Sequence, residues 1–511
     1  MKTVNGRTNK YIQCIIILAL FLFLVSFAQG QLKSKPNIVI ILADDYGVGD
    51  IQSHYPENKV PSPELDRLAI QSLRFTDAHT SSAVCTPTRY SLLTGRYAWR
   101  TKLQEWVMAP WDGPLIDQKR QTLPEMLQSQ GYHTSLVGKW HLGMKWPGKT
   151  EEALEDTITD GPNQHGFDYY FGVDVPNFAP YAWIENDRLL TPVPGFYDAK
   201  DARSRWMMGR SPGPMASGWA FEDILPELTR KCVQIIDEKA NTTEPFFLLF
   251  TMTSPHEPIA PSKEFQGKSG IAPIADFLIQ TDHSVGQVVK AIDKAGVKDN
   301  TIIIFTADNG HNHYTDWESL VKAGHQPSGE FRGHKGDIWE GGHRVPFLVR
   351  WPGTIRPGTS CKSLVGLQDI YATIADLLEC ELPAGDAEDS FSFLKALVDP
   401  SQKVREEIIS HSNHGEFSLR EGDWKLVLRC ANGVRNNSRG QTCIPELYNL
   451  KIDIGETEEL SKTHPERVKE MMAKLESMIN QGRTRPGPPD QNDVMVYWKE
   501  TQPNRSLRWD N

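Results

Sequence analysis

Residues Pro36 to Asp45 read "PNIVIILADD", an apolar run that stops on two acids. A short run of β-branched and aliphatic side chains without polar alternation is the pattern of a strand buried on both faces. The pattern recurs three times. Tyr132–Gly138 "YHTSLVG" ends in Lys139-Trp140-His141, Pro245–Ser254 "PFFLLFTMTS" ends in Pro255-His256, and Thr301–Ala307 "TIIIFTA" ends in Asp308-Asn309-Gly310-His311. Between these runs, Glu64–Ser72, Leu123–Gln130 and Ile274–Ala295 have helical spacing. Buried strands alternating with helices predict an α/β fold with a mostly parallel sheet. In such a sheet ligands bind beyond the carboxyl ends of the strands. Asp44, Asp45, Lys139, His141, His256, Asp308 and Asn309 therefore fall together in one crevice.

The charges in that crevice suggest its chemistry. Asp44, Asp45 and Asp308 are costly to bring together unless a cation shares them, and Asn309 adds a neutral oxygen. An all-oxygen donor set points to Ca²⁺ or Mg²⁺ rather than zinc. Lys139, Arg89 and Lys335, the last in the Gly-rich stretch "FRGHKGDIWEGGHRVP", supply three positive charges. A divalent cation would bring the balance to about +2, suited to an anionic substrate that Arg holds well. His141 and His256 are suited to proton transfer near neutrality.

The stretch "SAVCTPTRYSLLTGR", Ser82 to Arg96, carries the most specific motif. Cys85-Thr86-Pro87-Thr88-Arg89 followed by Leu93-Thr94-Gly95-Arg96 resembles the modification signature of the type I, formylglycine-dependent sulfatases. "PNIVIILADDYGVGD", "GYHTSLVGKWHLG", "HGFDYYFG", "TADNGH" and "EGGHRVPFLVRWPG" also resemble segments of that family in order, over roughly residues 35 to 480. The resemblance implies an alkaline phosphatase-like sheet. It implies that Cys85 is oxidised to Cα-formylglycine (3-oxoalanine) by a formylglycine-generating or anaerobic sulfatase-maturating enzyme. The hydrate of that aldehyde would attack the sulfur of a sulfate ester, pass through a covalent sulfo-enzyme and expel sulfate. Carried over residue by residue, Asp44, Asp45, Asp308 and Asn309 hold Ca²⁺ with the oxidised Cys85. Arg89 orients the diol; Lys139, His256 and Lys335 grip sulfate. His256 and Lys335 assist the leaving alcohol, and His141 takes the second proton. Pro87 places Cys85 at the start of a helix, whose N-terminus favours an anion.

The remainder of the chain frames this reading. The 511 residues are 39% hydrophobic and 23% charged, with net charge -10 and pI near 5.9, which gives no sign of a nucleic-acid binder. Residues 1–30 carry Lys2, Arg7 and Lys10, an apolar run from Ile12 to Ala28, and small residues Ala28 and Gly30. This reads as a cleaved signal peptide with no stable membrane anchor, hence a periplasmic or secreted protein. The sequons at Asn241, Asn436 and Asn504 keep a eukaryotic secretory origin open. Cys430 and Cys443 bracket a polar loop and could pair; with Cys232, Cys361 and Cys380 they make an odd five, so at least one thiol stays free. Residues 31–382 are expected to form the catalytic domain and 383–481 a smaller antiparallel α+β subdomain, with a hairpin in Phe417–Arg429 and a helix over Pro465–Asn480. Residues 482–511 are expected to wrap the surface.

Eight tryptophans in residues 99–219 (Trp99, Trp106, Trp111, Trp140, Trp146, Trp183, Trp206, Trp219) suit sugar faces, although most are expected in the core. His311, His313, Asn413 and His414 are candidate rim residues. Export and this rim favour a sulfated polysaccharide or oligosaccharide as substrate. The alternatives are an aryl sulfatase of small molecules, a phosphate or phosphonate ester hydrolase on the same fold, and an inactive binding relative.

Overall fold

A computed structural model describes residues 35–198, 207–430 and 442–500. The expected signal peptide, Trp206 and the sequons at Asn436 and Asn504 lie outside the described residues. Ten strands make the main sheet: β1 (Asn37–Ala43), β2 (Leu73–His79), β3 (His133–Lys139), β4 (Tyr169–Val173), β5 (Ile184–Glu185), β6 (Arg188–Leu189), β9 (Phe246–Thr251), β10 (Thr301–Ala307), β11 (Phe347–Arg350) and β12 (Thr359–Gly366). A two-stranded ribbon pairs β7 (Gly195–Tyr197) with β8 (Gly213–Met215). A four-stranded antiparallel sheet contains β13 (Glu407–His411), β14 (Phe417–Glu421), β15 (Trp424–Cys430) and β16 (Cys443–Asn449).

The main sheet runs β12-β2-β11-β10-β1-β9-β3-β4-β5-β6. Its centre, β10-β1-β9-β3-β4, is parallel; β11 runs antiparallel to both of its neighbours. Every residue of β1, β9 and β10 is buried, as continuous apolar runs require when both faces are covered. Each fully buried Ile, Leu or Phe in these strands contributes roughly 1.5–3 kcal/mol relative to leaving it in water. Because β1, β3, β9 and β10 are parallel, their carboxyl ends reach the same edge. That alone brings the four polar strand endings together.

The antiparallel sheet begins at Glu407, and the helix Pro465–Asn480 packs Met471, Leu475 and Ile479 onto it. The segment after Leu382 divides: Phe393, Ala396 and Leu397 join the main core, and only later residues build the second sheet. The β14–β15 hairpin turns at Gly422, whose φ of 57° is left-handed. Cys430 and Cys443 are disulfide-bonded, while Cys85, Cys232, Cys361 and Cys380 form no disulfide among the described residues. The tail from Gly482 onward is pinned by buried arginines, with Arg96 paired to Asp493 at 2.9 Å and Arg100 bonded to Asn492 at 2.8 Å. No described helix is long and apolar enough to cross a membrane.

Candidate active site

Two backbone reversals shape the crevice at the carboxyl edge. In an extended strand neighbouring side chains point to opposite faces. Asp45, just past β1, has φ 64°, and His141, just past β3, has φ 59°. A left-handed non-glycine residue is strained and is held only where its surroundings fix it. Here it breaks the alternation, so that Asp44 and Asp45 both reach the same cluster. The helix Cys85–Thr94 starts at Cys85 after extended Val84 and ends at left-handed Gly95. Pro87 lies in its first turn, where a missing N–H costs no helical hydrogen bond. Cys85 therefore occupies the positive end of a helix dipole. Gly310 allows a third approach. A β-carbon there would lie 1.9 Å from the Gly341 carbonyl oxygen, so only glycine lets this turn settle against the loop that carries Lys335.

Ligand atoms of Asp44, Asp45, Cys85 and His256 all lie within 4.8 Å of one another, and all four residues are buried. Cys85 Sγ is 3.5 Å from Asp44 Oδ1. Arg89 donates to Asp308 Oδ2 from Nε at 3.0 Å and from Nη2 at 2.7 Å, and from Nη1 to the Lys139 carbonyl at 2.8 Å. Lys139 Nζ donates to Asp44 at 2.7 Å, and Lys335 Nζ lies 2.7 and 2.8 Å from the two oxygens of Asp45. Asn309 and Asn312 donate to Asp45 at 2.7 and 3.2 Å, and the Asp45 N–H donates to Asp308 Oδ1 at 3.2 Å. Asn309 Oδ1 remains buried without a partner among the described residues.

Burial opposes ionisation of Asp44, but Lys139, His256 and Arg89 outweigh it and hold the carboxyl well below its ordinary range. Burial is likewise overcome at Asp45 by Lys335 and His256, and its pKa is lowered. Asp308 moves the other way, up to about 6, because burial and the charge of Asp44 exceed the help of Arg89. Burial and Asp308 push the Cys85 thiol far above its ordinary value, so it is no thiolate nucleophile as it stands.

Both histidines are held neutral. Burial, with Lys335 and Lys139 beside it, lowers His256 to about 4; burial, Lys139 and Arg89 lower His141 well below its ordinary value. A carbonyl can only accept, so the hydrogen bonds fix the tautomers. His256 donates from Nδ1 to the Glu257 carbonyl at 2.6 Å, leaving Nε2 bare and 3.9 Å from Asp45. His141 donates from Nε2 to the Met108 carbonyl at 3.0 Å, leaving Nδ1 buried and without a partner among the described residues.

The structure thus gathers every strand-end residue singled out in the sequence, together with Cys85, Arg89 and Lys335. The rim residues fare differently. His311 is buried and hydrogen-bonded to Asp50 at 2.8 Å, with His325 on the other Asp50 oxygen at 2.8 Å; it supports the site from behind and is not a rim residue. His313 is exposed and stacks on His334 at 3.8 Å, and Asn413 packs against the Lys335 loop through Gly336. His414 is half-buried. Trp99 and Trp140 are core residues; Trp106, Trp111, Trp146, Trp183 and Trp219 are half-buried. Sequence reasoning missed Asn312, Tyr314, whose hydroxyl lies 3.3 Å from Lys335 Nζ, and Asp174, which accepts the His141 N–H at 3.2 Å. Asn312 lies three residues beyond Asn309 on the same strand ending, a signal within reach.

A family profile described as Sulfatase matches residues 36–380. The chain is 34% identical over 493 residues to the N-acetylgalactosamine-6-O-sulfatase of Bacteroides thetaiotaomicron, covering 88% of this chain and 94% of that protein. It is 30% identical to arylsulfatase A of Bos taurus over 86% of each chain. A solved chain reported with the metabolism of multiple glycosaminoglycans by Bacteroides thetaiotaomicron superposes with a TM-score of 0.78 at 31% identity, over 87% of this chain and 99% of that one. The profile spans the strand endings, Cys85, Arg89 and Lys335 in one continuous match, and the chain belongs to the sulfatase family, a sulfuric ester hydrolase on an alkaline phosphatase-like fold.

Proposed function

We propose that this sulfatase acts outside the cell, in the periplasm or as a secreted enzyme, on a sulfated polysaccharide or oligosaccharide. In this reading Cys85 is matured to Cα-formylglycine, and Asp44, Asp45, Asp308 and Asn309 hold Ca²⁺, with Mg²⁺ as the alternative ion. The observation that carries it is the setting of Cys85: a buried thiol with its thiolate suppressed, at a helix N-terminus, among three carboxylates and three cations. The donor set fits a hard cation. Its oxygens are carboxylates and an amide, and Asn309 Oδ1 is a buried acceptor without a partner among the described residues. When present, the cation and the aldehyde hydrate supply an acidified hydroxyl as nucleophile toward sulfur.

The side chains of the chain itself do the rest. Arg89, locked to Asp308, fixes the charge beside residue 85. Lys139 and Lys335 are placed to grip sulfate oxygens, and Arg89 adds positive potential behind them. An anionic sulfate beside His256 Nε2 favours the protonated imidazole, which then donates to the departing alcohol oxygen together with Lys335. His141 Nδ1 offers the free lone pair that receives a proton later in turnover. Support for a carbohydrate comes from one relative, an N-acetylgalactosamine-6-O-sulfatase, and from the similar solved chain reported with glycosaminoglycan metabolism.

Sulfate release from a panel of sulfated mono- and oligosaccharides, set beside nitrophenyl sulfate and nitrophenyl phosphate, tests the proposal. Turnover of at least one sulfated sugar well above the phosphate ester is expected. Turnover confined to small aryl sulfates would leave a sulfatase but overturn the carbohydrate reading.

A further inference from the structure

A second polar group abuts the sulfate pocket, and the chemistry above makes no use of it. Glu257 follows His256 in the chain, is 1% exposed, and lies near enough for both Lys335 and Asp45 to bias its carboxyl. Its Oε1 accepts from Asn177 Nδ2 at 2.7 Å and from Arg210 Nη1 at 3.0 Å. Among the described residues its Oε2 has no partner, and neither has Asn177 Oδ1, although both residues are buried. Arg210 is anchored by its own N–H on the Asn177 carbonyl at 2.6 Å, while a third of its side chain is exposed. Two buried acceptors left unfilled beside a half-open guanidinium are costly unless donors arrive with a ligand.

We propose that Glu257, Asn177 and Arg210 form a subsite that reads the sugar next to its sulfate. Glu257 Oε2 and Asn177 Oδ1 accept from ring hydroxyls or an acetamido N–H, and Arg210 donates to a neighbouring sugar oxygen or anionic group. The inference rests on the carbohydrate reading above and adds the residues that choose among sugars. An aryl sulfate brings no such donors. A site built to hydrogen-bond a substrate hydroxyl discriminates strongly against an analogue lacking it.

The test compares kcat/KM on sulfated galactosamine, glucosamine and galactose monosaccharides with kcat/KM on nitrophenyl sulfate, for wild type, Glu257→Gln, Asn177→Ala and Arg210→Ala. Each variant should lower the sugar-to-aryl ratio at least about 10-fold for the best sugar. The desulfated form of that sugar, used as a competitive inhibitor of aryl sulfate hydrolysis, should bind correspondingly more weakly to the variants. That second readout also works on a variant that folds less well, because it is scored on the active fraction. Equal losses on both substrates, or an unchanged ratio, with unaltered inhibition would show that the trio only braces His256 and Lys335, and the inference falls alone. A wild type that turns over nitrophenyl sulfate but none of the sugars would overturn the carbohydrate reading and this inference with it.

Discussion

Two buried clusters in this molecule hold the same kinds of donor. The first is Asp44, Asp45, Cys85 and His256; the second is His79, Glu340 and His343, whose ligand atoms also lie within 4.8 Å of one another. In the second, His79 and His343 face each other through Nδ1 at 3.0 Å, and Asp77 holds the far nitrogen of His79 at 2.8 Å. The place a metal ion would take is claimed by Lys425, which lies 3.0 Å from Glu340, 3.2 Å from His343 and 2.7 Å from Glu456. Arg344 bridges Asp77 and Glu340 at 2.8 and 2.7 Å. Lys425 comes from β15, so this network ties the antiparallel sheet to the main one. Its Lys425 is 1% exposed, whereas Lys335 and His256 in the first cluster reach solvent at 9% and 8%. Donor type and proximity therefore do not separate a reactive centre from a structural one. Access does.

The comparison breaks most visibly under substitution. Cys85→Ala removes one sulfur from the first cluster and should cost at least about 10⁴-fold in kcat/KM while shifting the melting temperature by only a few degrees. Activity and calorimetry on the same preparation check this. His141→Ala, which deletes the lone pair at Nδ1, should slow turnover by roughly 10²–10⁴-fold, with the first equivalent of alcohol released faster than the rest; rapid-quench kinetics on a nitrophenyl ester reads that burst. The second cluster should answer in stability. Lys425→Met leaves Glu340 and Glu456 buried without their ammonium and should cost about 3–5 kcal/mol in urea unfolding, while the folded fraction keeps its kcat.

A pH effect sharpens the same contrast. Burial opposes ionisation of Asp50, but His311 and His325 overcome it and lower its pKa to about 2. Because the folded value lies below the unfolded one, the stabilisation is present above about pH 4 and is lost as pH falls toward 2. It should amount to roughly 2–3 kcal/mol, and Asp50→Asn should flatten that acid limb of the stability profile.

What the sequence made legible follows from periodicity and position. Continuous apolar runs identify β1, β9 and β10, and whatever polar residue ends such a run must lie at the sheet edge. Asp44, Lys139, His256 and Asp308 were therefore readable. Glu257, Asp174 and Arg210 were not, because their placement depends on loops and contacts distant in the chain. His311 was misread as a rim residue since its neighbour Asn309 belongs to the pocket; the turn after Gly310 instead sends it to Asp50. The second cluster draws on residues 77–79, 340–344, 425 and 456, and no local motif announces a network assembled from four separate segments.

The most direct test of the account is the chemical state of residue 85 in active enzyme. Peptide mass analysis after alkylation, across preparations matured to different extents, should show the Cys85 peptide lighter than its encoded mass by the thiol-to-aldehyde change. The converted fraction should rise in proportion to specific activity on a sulfate ester. A fully active preparation in which Cys85 is entirely alkylatable thiol would contradict the account.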